Sequence, residues 1–106
     1  AHEIDKLIRL AKKRKKRPVV LEVMYTENSN DTTYVKNLNE QLQSITEANN
    51  TKFIKVNHEL SNAGKLLPQY SSDGLHLNNA GYSALFEEIR AQTLQFISTE
   101  LEQCRG

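Results

Sequence analysis

The segment 19–25 is an almost unbroken apolar run, Val-Val-Leu-Glu-Val-Met-Tyr, in which Glu22 is the one charged residue. Such a run, rich in β-branched residues, is typical of a strand that is covered on both faces in a parallel sheet. A second and shorter run, Phe-Ile-Lys-Val-Asn, spans 53–57. Parallel sheets need several strands if each is to be buried, and two strands are too few. The sequence therefore predicts half of a sheet.

Three helical patterns alternate with these strands. Apolar residues recur every three or four positions over 2 to about 15, about 31–48 and about 80–103, which predicts amphipathic helices there. The segment 58–78 contains two glycines and a proline and is predicted to be a long loop. Strands that alternate with helices indicate an α/β fold with a parallel sheet.

Length and charge narrow the possible functions. The 106 residues allow one small domain at most. The formal net charge of +1 argues against nucleic-acid binding, although six basic residues follow one another at 12–17. We interpret that run as the C-terminal end of the first helix, where positive side chains meet the negative end of the helix dipole.

No apolar stretch approaches the ~20 residues that cross a bilayer, so we expect no membrane span. The single Cys104 can form neither an internal disulfide nor a cysteine metal site.

The residues that carry chemistry lie in 70–82, Tyr-Ser-Ser-Asp-Gly-Leu-His-Leu-Asn-Asn-Ala-Gly-Tyr. Asp73 precedes His76 by three residues on a loop that Gly74 can bend, so we expect its carboxylate within roughly 2.6–3.2 Å of the imidazole Nδ1. A carboxylate on Nδ1 fixes the tautomer and leaves Nε2 free to accept a proton from a nucleophile. One of the two asparagines that follow can cap the last helix and anchor the loop.

The string Asp-Gly-Leu-His-Leu-Asn, followed by Gly-Tyr and an amphipathic helix, closely resembles the last conserved block of the SGNH/GDSL hydrolases. The order of elements matches over nearly the whole chain, although only residues 70–82 are specific. The resemblance implies a three-layer α/β/α, flavodoxin-like sandwich with a parallel sheet, of which residues 1–106 would form the C-terminal part. It also implies a serine ester hydrolase in which His76 is the general base and Asp73 orients it.

The nucleophile of that family is absent from this sequence. The resemblance implies a Ser in a Gly-Asp-Ser block and, as oxyanion donors, a Gly and the Asn of a Gly-x-Asn-Asp block, but neither block occurs. Ser71 and Ser72 are too close to His76 to act as a separate nucleophile, and we treat them as loop residues. We therefore expect two partners, an N-terminal half of the same domain and an ester substrate (a small molecule, a lipid or an O-acylated carbohydrate). We expect no cofactor, and the chain alone should be inactive.

Two other interpretations stay open. A non-catalytic SGNH-like binding or scaffolding module would keep the fold without the reaction, but a decayed site has no reason to retain both Asp73 and His76. A nucleic-acid-binding fragment built on residues 12–17 conflicts with the near-zero net charge.

Several further residues have weaker signals. Tyr25 ends the first predicted strand, and Glu27 lies two residues after it. Both could line a substrate pocket, since loops at strand ends often line the pockets of α/β enzymes. His58 and the acidic residue after it are more simply a solvated loop pair. Tyr82 and Phe86 lie on the apolar stripe of the last helix, and we expect them to be core residues.

Overall fold

A computed structural model describes residues 2–105 and confirms the alternating α/β fold. The helices and strands follow one another as α1 (His2–Lys13), β1 (Val19–Leu21), α2 (Thr32–Ala48), β2 (Lys52–Ile54), α3 (Asn57–Leu60), β3 (Ser61–Asn62), β4 (Lys65–Leu66) and α4 (Asn79–Arg105). Two short 3₁₀ turns, Ser29–Asp31 and Pro68–Tyr70, precede α2 and follow β4. Ala1, Gly106 and the side chains of Glu100, Gln103, Cys104 and Arg105 lie outside the described part of the chain.

The strands β1 and β2 lie side by side and run parallel, with Val20 opposite Phe53 and Leu21 opposite Ile54. Neighbouring residues of a strand face opposite sides of a sheet. Ile54 packs in one cluster with Leu85 of α4, so Phe53 faces the side on which α2 contacts β2. Helices therefore cover both faces of the strand pair, in an α/β/α arrangement.

The core lies between β2 and the N-terminal half of α4. Its buried apolar residues are Ile54, Val56, Leu60, Leu66 and Leu85. Met24, Tyr70 and Leu77 pack against this core from the segments that flank the predicted site. Complete burial of a side chain of this size contributes about 1.5–3 kcal/mol, and these three side chains, which are partly buried, contribute less.

Strand β1 ends at Leu21, earlier than predicted, because the backbone groups that follow form hydrogen bonds with side chains and not with a neighbouring strand. Buried Asn39 of α2 accepts the N–H of Val23 at 2.8 Å and donates to its carbonyl at 2.9 Å. Asn57 donates to the same carbonyl at 2.9 Å and accepts the N–H of Tyr25 at 3.2 Å. Side-chain bonds of this kind compete with a strand ladder, and here they fix the segment that leaves the sheet.

The predicted long loop 58–78 contains short ordered elements. The helix α3 is a single turn, and β3 and β4 form an antiparallel hairpin. This hairpin turns at Ala63 and Gly64, whose φ angles of 52° and 76° are typical of a type I′ turn. The Thr32 hydroxyl donates to the Gly64 carbonyl at 2.8 Å and ties the hairpin to the start of α2. Elements of two to four residues are too short to show a hydrophobic period, so the sequence did not predict them.

Helix α1 ends at Lys13, two residues earlier than predicted. Lys15 has a φ of 61°, and the N–H groups of Lys15 and Lys16 donate back to carbonyls of the last turn at 3.0 and 2.9 Å. This is the Schellman pattern, in which the left-handed residue is usually glycine. Lys12 and Lys13 lie in the last turn of α1, where the helix-dipole interpretation places the start of the basic run.

The expectation that Tyr82 and Phe86 are core residues is wrong for the described chain. They are 47% and 62% exposed, and their rings stack with centroids 6.0 Å apart. Other large apolar side chains are exposed on α1, β1 and α4, namely Leu7, Leu10, Val19, Leu21, Leu94, Ile97 and Leu101. Within residues 2–105, β1 has β2 as its one strand partner. Helical periodicity identifies an apolar face but not the element that covers it, so the period alone places these two rings wrongly.

Candidate active site

The loop that carries Asp73 and His76 is fixed to the first turn of α4. Asn78 Oδ1 accepts the N–H of Gly81 at 2.8 Å, which caps the helix, and the Asn78 N–H donates to the Tyr70 carbonyl at 2.9 Å. A Cβ on Gly81 would lie 2.5 Å from that carbonyl oxygen, so the close approach requires glycine. The expected asparagine cap is therefore Asn78, and it sets the loop on a rigid element.

Asp73 and His76 form the expected hydrogen bond, in which His76 Nδ1 lies 2.7 Å from Asp73 Oδ2. The other carboxylate oxygen, Oδ1, accepts the backbone N–H of Leu75 at 2.9 Å and that of His76 at 2.8 Å. An ionised carboxylate can only accept, so Nδ1 is the protonated ring nitrogen and Nε2 carries the lone pair. The His76 side chain is 76% exposed, which leaves Nε2 accessible to a reacting group.

Hydrogen bonds hold the pKa of Asp73 well below its ordinary range. The bond from the His76 side chain has the largest effect, followed by the bonds from the backbone N–H groups of His76 and Leu75. Asp73 is therefore ionised at neutral pH and keeps a negative charge beside the imidazole. That charge would stabilise a positive imidazolium at His76.

Gly74 bends the loop at a φ of 80°, in the left-handed region that favours glycine. Its carbonyl accepts the N–H of Glu27 at 2.8 Å, which ties the loop to the segment after β1. A Cβ on Gly74 would lie 2.7 Å from the Cβ of Glu27. Both the conformation and the close approach therefore require glycine at this position.

Two pockets lie beside the pair. One of about 300 Å³ is mainly apolar and reaches His76, and its other lining residues are Val23, Met24, Tyr25, Thr26, Leu66, Leu75, Leu77 and Tyr82. The other, of about 420 Å³, is more polar and reaches Asp73, and its other lining residues are Thr26, Glu27, Asn28, Asp31, Gly74 and Leu75. Tyr25 and Glu27 thus line different pockets. A larger hollow of about 550 Å³ is open and shallow and lies on α2, away from the pair.

His58 takes no part in this loop. Its Nε2 lies 3.4 Å from Glu88 Oε2, and its side chain is 57% exposed. The carboxylate of Glu59 lies 3.5 Å from the Tyr70 hydroxyl. Both are surface contacts, as expected, but the two residues lie in the helix α3 and not in a loop.

Sequence reasoning missed two supports of the site. Ser71 is buried, and its hydroxyl bonds to backbone groups on both sides of the turn. Glu22 accepts the N–H groups of Val56 and Asn57, each at 2.9 Å, at the end of β2. The sequence did contain a signal for Glu22, which is the one charged residue in the apolar run 19–25. A partly buried carboxylate needs hydrogen-bond donors within the protein.

The described residues form neither a metal-binding cluster nor a membrane-spanning helix. In the range 2–105, no group of three or more His, Cys, Asp or Glu side chains that the structure describes is placed to hold a metal ion. No helix in that range combines the length and the hydropathy that a bilayer crossing needs.

A parallel strand pair between helices, with an Asp-x-x-His loop at the start of the last helix, is the arrangement that the resemblance to the SGNH/GDSL hydrolases implies. The family model of the GDSL-like lipases/acylhydrolases matches residues 2–89, and the chain belongs to that family.

Two solved structures share this fold. A GDSL-like lipase from Bacteroides thetaiotaomicron has a TM-score of 0.75 and 22% identity, over 83% of this chain and 47% of its own. A proposed acylhydrolase from Bacteroides fragilis has a TM-score of 0.75 and 20% identity, over 87% of this chain and 49% of its own. The chain thus spans about half the length of the solved structures that it matches. No curated protein matches it.

Proposed function

We propose that this chain supplies the catalytic His–Asp pair of a serine ester hydrolase, with His76 as the general base and Asp73 as the group that orients it. The observation that carries the proposal is the 2.7 Å hydrogen bond between His76 Nδ1 and Asp73 Oδ2. Membership of a lipase/acylhydrolase family supports it.

The pair is arranged for proton transfer at Nε2. Asp73 keeps the ring proton on Nδ1, so the lone pair of Nε2 can take the proton of a serine hydroxyl as its oxygen attacks an ester carbonyl. The imidazolium that forms lies beside a carboxylate whose lowered pKa keeps it charged. The imidazolium then gives its proton to the departing alcohol, which regenerates the base.

The nucleophilic Ser and the oxyanion Gly and Asn belong, in this proposal, to an N-terminal half of the same domain. Neither Gly-Asp-Ser nor Gly-x-Asn-Asp occurs in the 106 residues. Among residues 2–105, β1 pairs with β2 alone, and the exposed rings of Tyr82 and Phe86 offer an apolar surface that such a half would cover. The matched region is also only about half of the chain in each matched structure.

The substrate is an ester whose acyl part enters the apolar pocket beside His76. A volume of about 300 Å³ lies at the lower end of the range of small-molecule pockets. Such an ester could be a small molecule, a lipid or an O-acylated carbohydrate.

Restoring the N-terminal half, by fusion or by co-expression, tests the proposal. The complete protein should hydrolyse nitrophenyl acetate, and His76→Ala should lower kcat by about 10⁴-fold or more with little change in KM. His58→Ala is the matched control, because that imidazole contacts Glu88 on the surface, and it should retain the wild-type kcat.

Three results would contradict the proposal. A complete protein without esterase activity would favour the non-catalytic binding or scaffolding module. An active His76→Ala enzyme or an inactive His58→Ala enzyme would show that His76 is not the base.

A further inference from the structure

Ser71 closes the turn that presents the Asp73–His76 pair. The residue is 8% exposed. Its hydroxyl oxygen accepts the N–H of Gly74 at 2.8 Å and donates its proton to the carbonyl of His76, 2.6 Å away. Asp73 Oδ1 lies 3.2 Å from the same oxygen, but a hydroxyl has one proton and the shorter contact takes it.

The bond from Ser71 is one of three hydrogen bonds that hold His76. Its N–H donates to Asp73 Oδ1 at 2.8 Å, and its ring Nδ1 donates to Asp73 Oδ2 at 2.7 Å. Its carbonyl accepts the hydroxyl proton of Ser71 at 2.6 Å. Without the hydroxyl, the carbonyl of His76 would lose this donor.

We propose that Ser71 is a positioning residue for the general base, holding Nε2 of His76 in place without touching the substrate. The inference rests on the proposed function and adds a residue to its machinery. A hydroxyl is required because one buried atom must accept from Gly74 and donate to His76 at the same time. An alanine can do neither, and both backbone groups would lose their partner.

Ser72 provides a matched comparison. It is the next residue in the loop and has the same side chain, but it is exposed and makes no hydrogen bond within the described range. Replacing it with alanine removes a hydroxyl from this loop without removing a support of His76.

The test compares Ser71→Ala with Ser72→Ala in the complete protein, with nitrophenyl acetate as the substrate. A displacement of about 1 Å at a catalytic group costs on the order of 10²-fold in rate, so Ser71→Ala should lower kcat by roughly 10- to 100-fold. KM should stay within about twofold, since the hydroxyl does not contact the ground-state substrate. Ser72→Ala should retain the wild-type kcat.

A double-mutant cycle separates positioning from a general structural role. In a His76→Ala background, Ser71→Ala should lower the residual rate no further, because a residue that acts through His76 has nothing left to position. A general loss of folded enzyme would lower the rate in both backgrounds. Ser71→Cys fills a similar space with a weaker donor and acceptor and should give an intermediate kcat. If Ser71→Ala does not fold, Ser71→Cys is compared with Ser72→Ala in its place.

The possible failures are distinguishable. Equal kcat values for Ser71→Ala and Ser72→Ala, or an additive loss in the His76→Ala background, would overturn the role of Ser71 and leave the proposed function intact. A complete protein without esterase activity would overturn the proposed function and the role of Ser71 with it.

Discussion

Both oxygens of the Asp73 carboxylate bond to His76, Oδ2 at 2.7 Å from the ring Nδ1 and Oδ1 at 2.8 Å from the backbone nitrogen. One carboxylate therefore fixes the ring and the backbone of the same histidine. Asparagine has the same shape, but one of its two terminal atoms is a donor. An Asp73→Asn change thus keeps the size of the side chain but replaces one acceptor oxygen with a donor NH₂ group.

We expect Asp73→Asn to lower the kcat of the complete protein on nitrophenyl acetate by up to about 10⁴-fold, and by less than His76→Ala does. The imidazole remains as a base, but an amide N–H facing Nδ1 favours the wrong tautomer. KM should change little, because Asp73 does not hold the ground-state substrate. Steady-state kinetics of both variants checks this, and a larger loss for Asp73→Asn than for His76→Ala would contradict the assigned roles.

Asp73 should remain ionised at a pH of about 3.9, where an ordinary aspartate is half protonated. Its hydrogen bonds lower the folded-state pKa below the unfolded value. The contribution of the carboxylate to stability is therefore fully present above the unfolded pKa and is lost as the pH falls through the lower, folded-state pKa. The carboxyl carbon shift of Asp73, followed by NMR through an acid titration of the complete protein, measures this. A midpoint at the ordinary value would show that these bonds do not act on Asp73 in solution.

The isolated chain of 106 residues should be unstable or should aggregate. Within the described range β1 pairs on one side only, and exposed strand edges recruit other chains. The half-exposed side chain of Val19 lies on that strand and adds apolar surface. Sedimentation velocity and thermal unfolding of the isolated chain check the prediction, with the complete protein as the control. A monomeric chain with a cooperative transition would contradict the half-domain proposal.

The hairpin turn offers a stabilising change. Ala63 has a φ of 52°, and a left-handed conformation costs a non-glycine residue roughly 1–2 kcal/mol, although asparagine tolerates it better. Ala63→Asn should therefore raise the free energy of unfolding of the complete protein by about 0.5–1 kcal/mol, since Asn-Gly is the preferred type I′ pair. Denaturant unfolding measures the change.

The control places the same substitution in a helix. Ala91 is exposed in α4, where Ala91→Asn should lower the free energy of unfolding by about 0.7 kcal/mol or less. A loss at both positions would mean that the turn conformation does not decide the effect at Ala63.

The features that could be predicted from the sequence are those encoded locally. Helices α1, α2 and α4 each repeat an apolar period over at least 12 residues, and the β-branched run marks β1. The bond between Asp73 and His76 was predictable because His76 follows Asp73 at the third position and a glycine bends the chain between them.

Features that depend on distant residues were not predictable. The end of β1 is set by Asn39 and Asn57, which lie 16 and 34 positions from the Val23 backbone that they bond. The exposure of Tyr82 and Phe86 likewise depends on which elements cover α4, and no local pattern reveals that. Ser71 was overlooked because a serine in a polar loop shows no sign that its hydroxyl is buried.

The short separation of Asp73 and His76 has a consequence for assembly. Contacts within one turn need little loop closure and form quickly, so the geometry between these two residues is set inside a single stretch of chain. In the proposed enzyme, the distance from Nε2 to the serine of the N-terminal half would be set by docking instead. If the halves were supplied as two separate polypeptides, the rate would rise with the concentration of either one and reach a plateau. The hydrogen bond between Asp73 and His76 would be the same at every concentration.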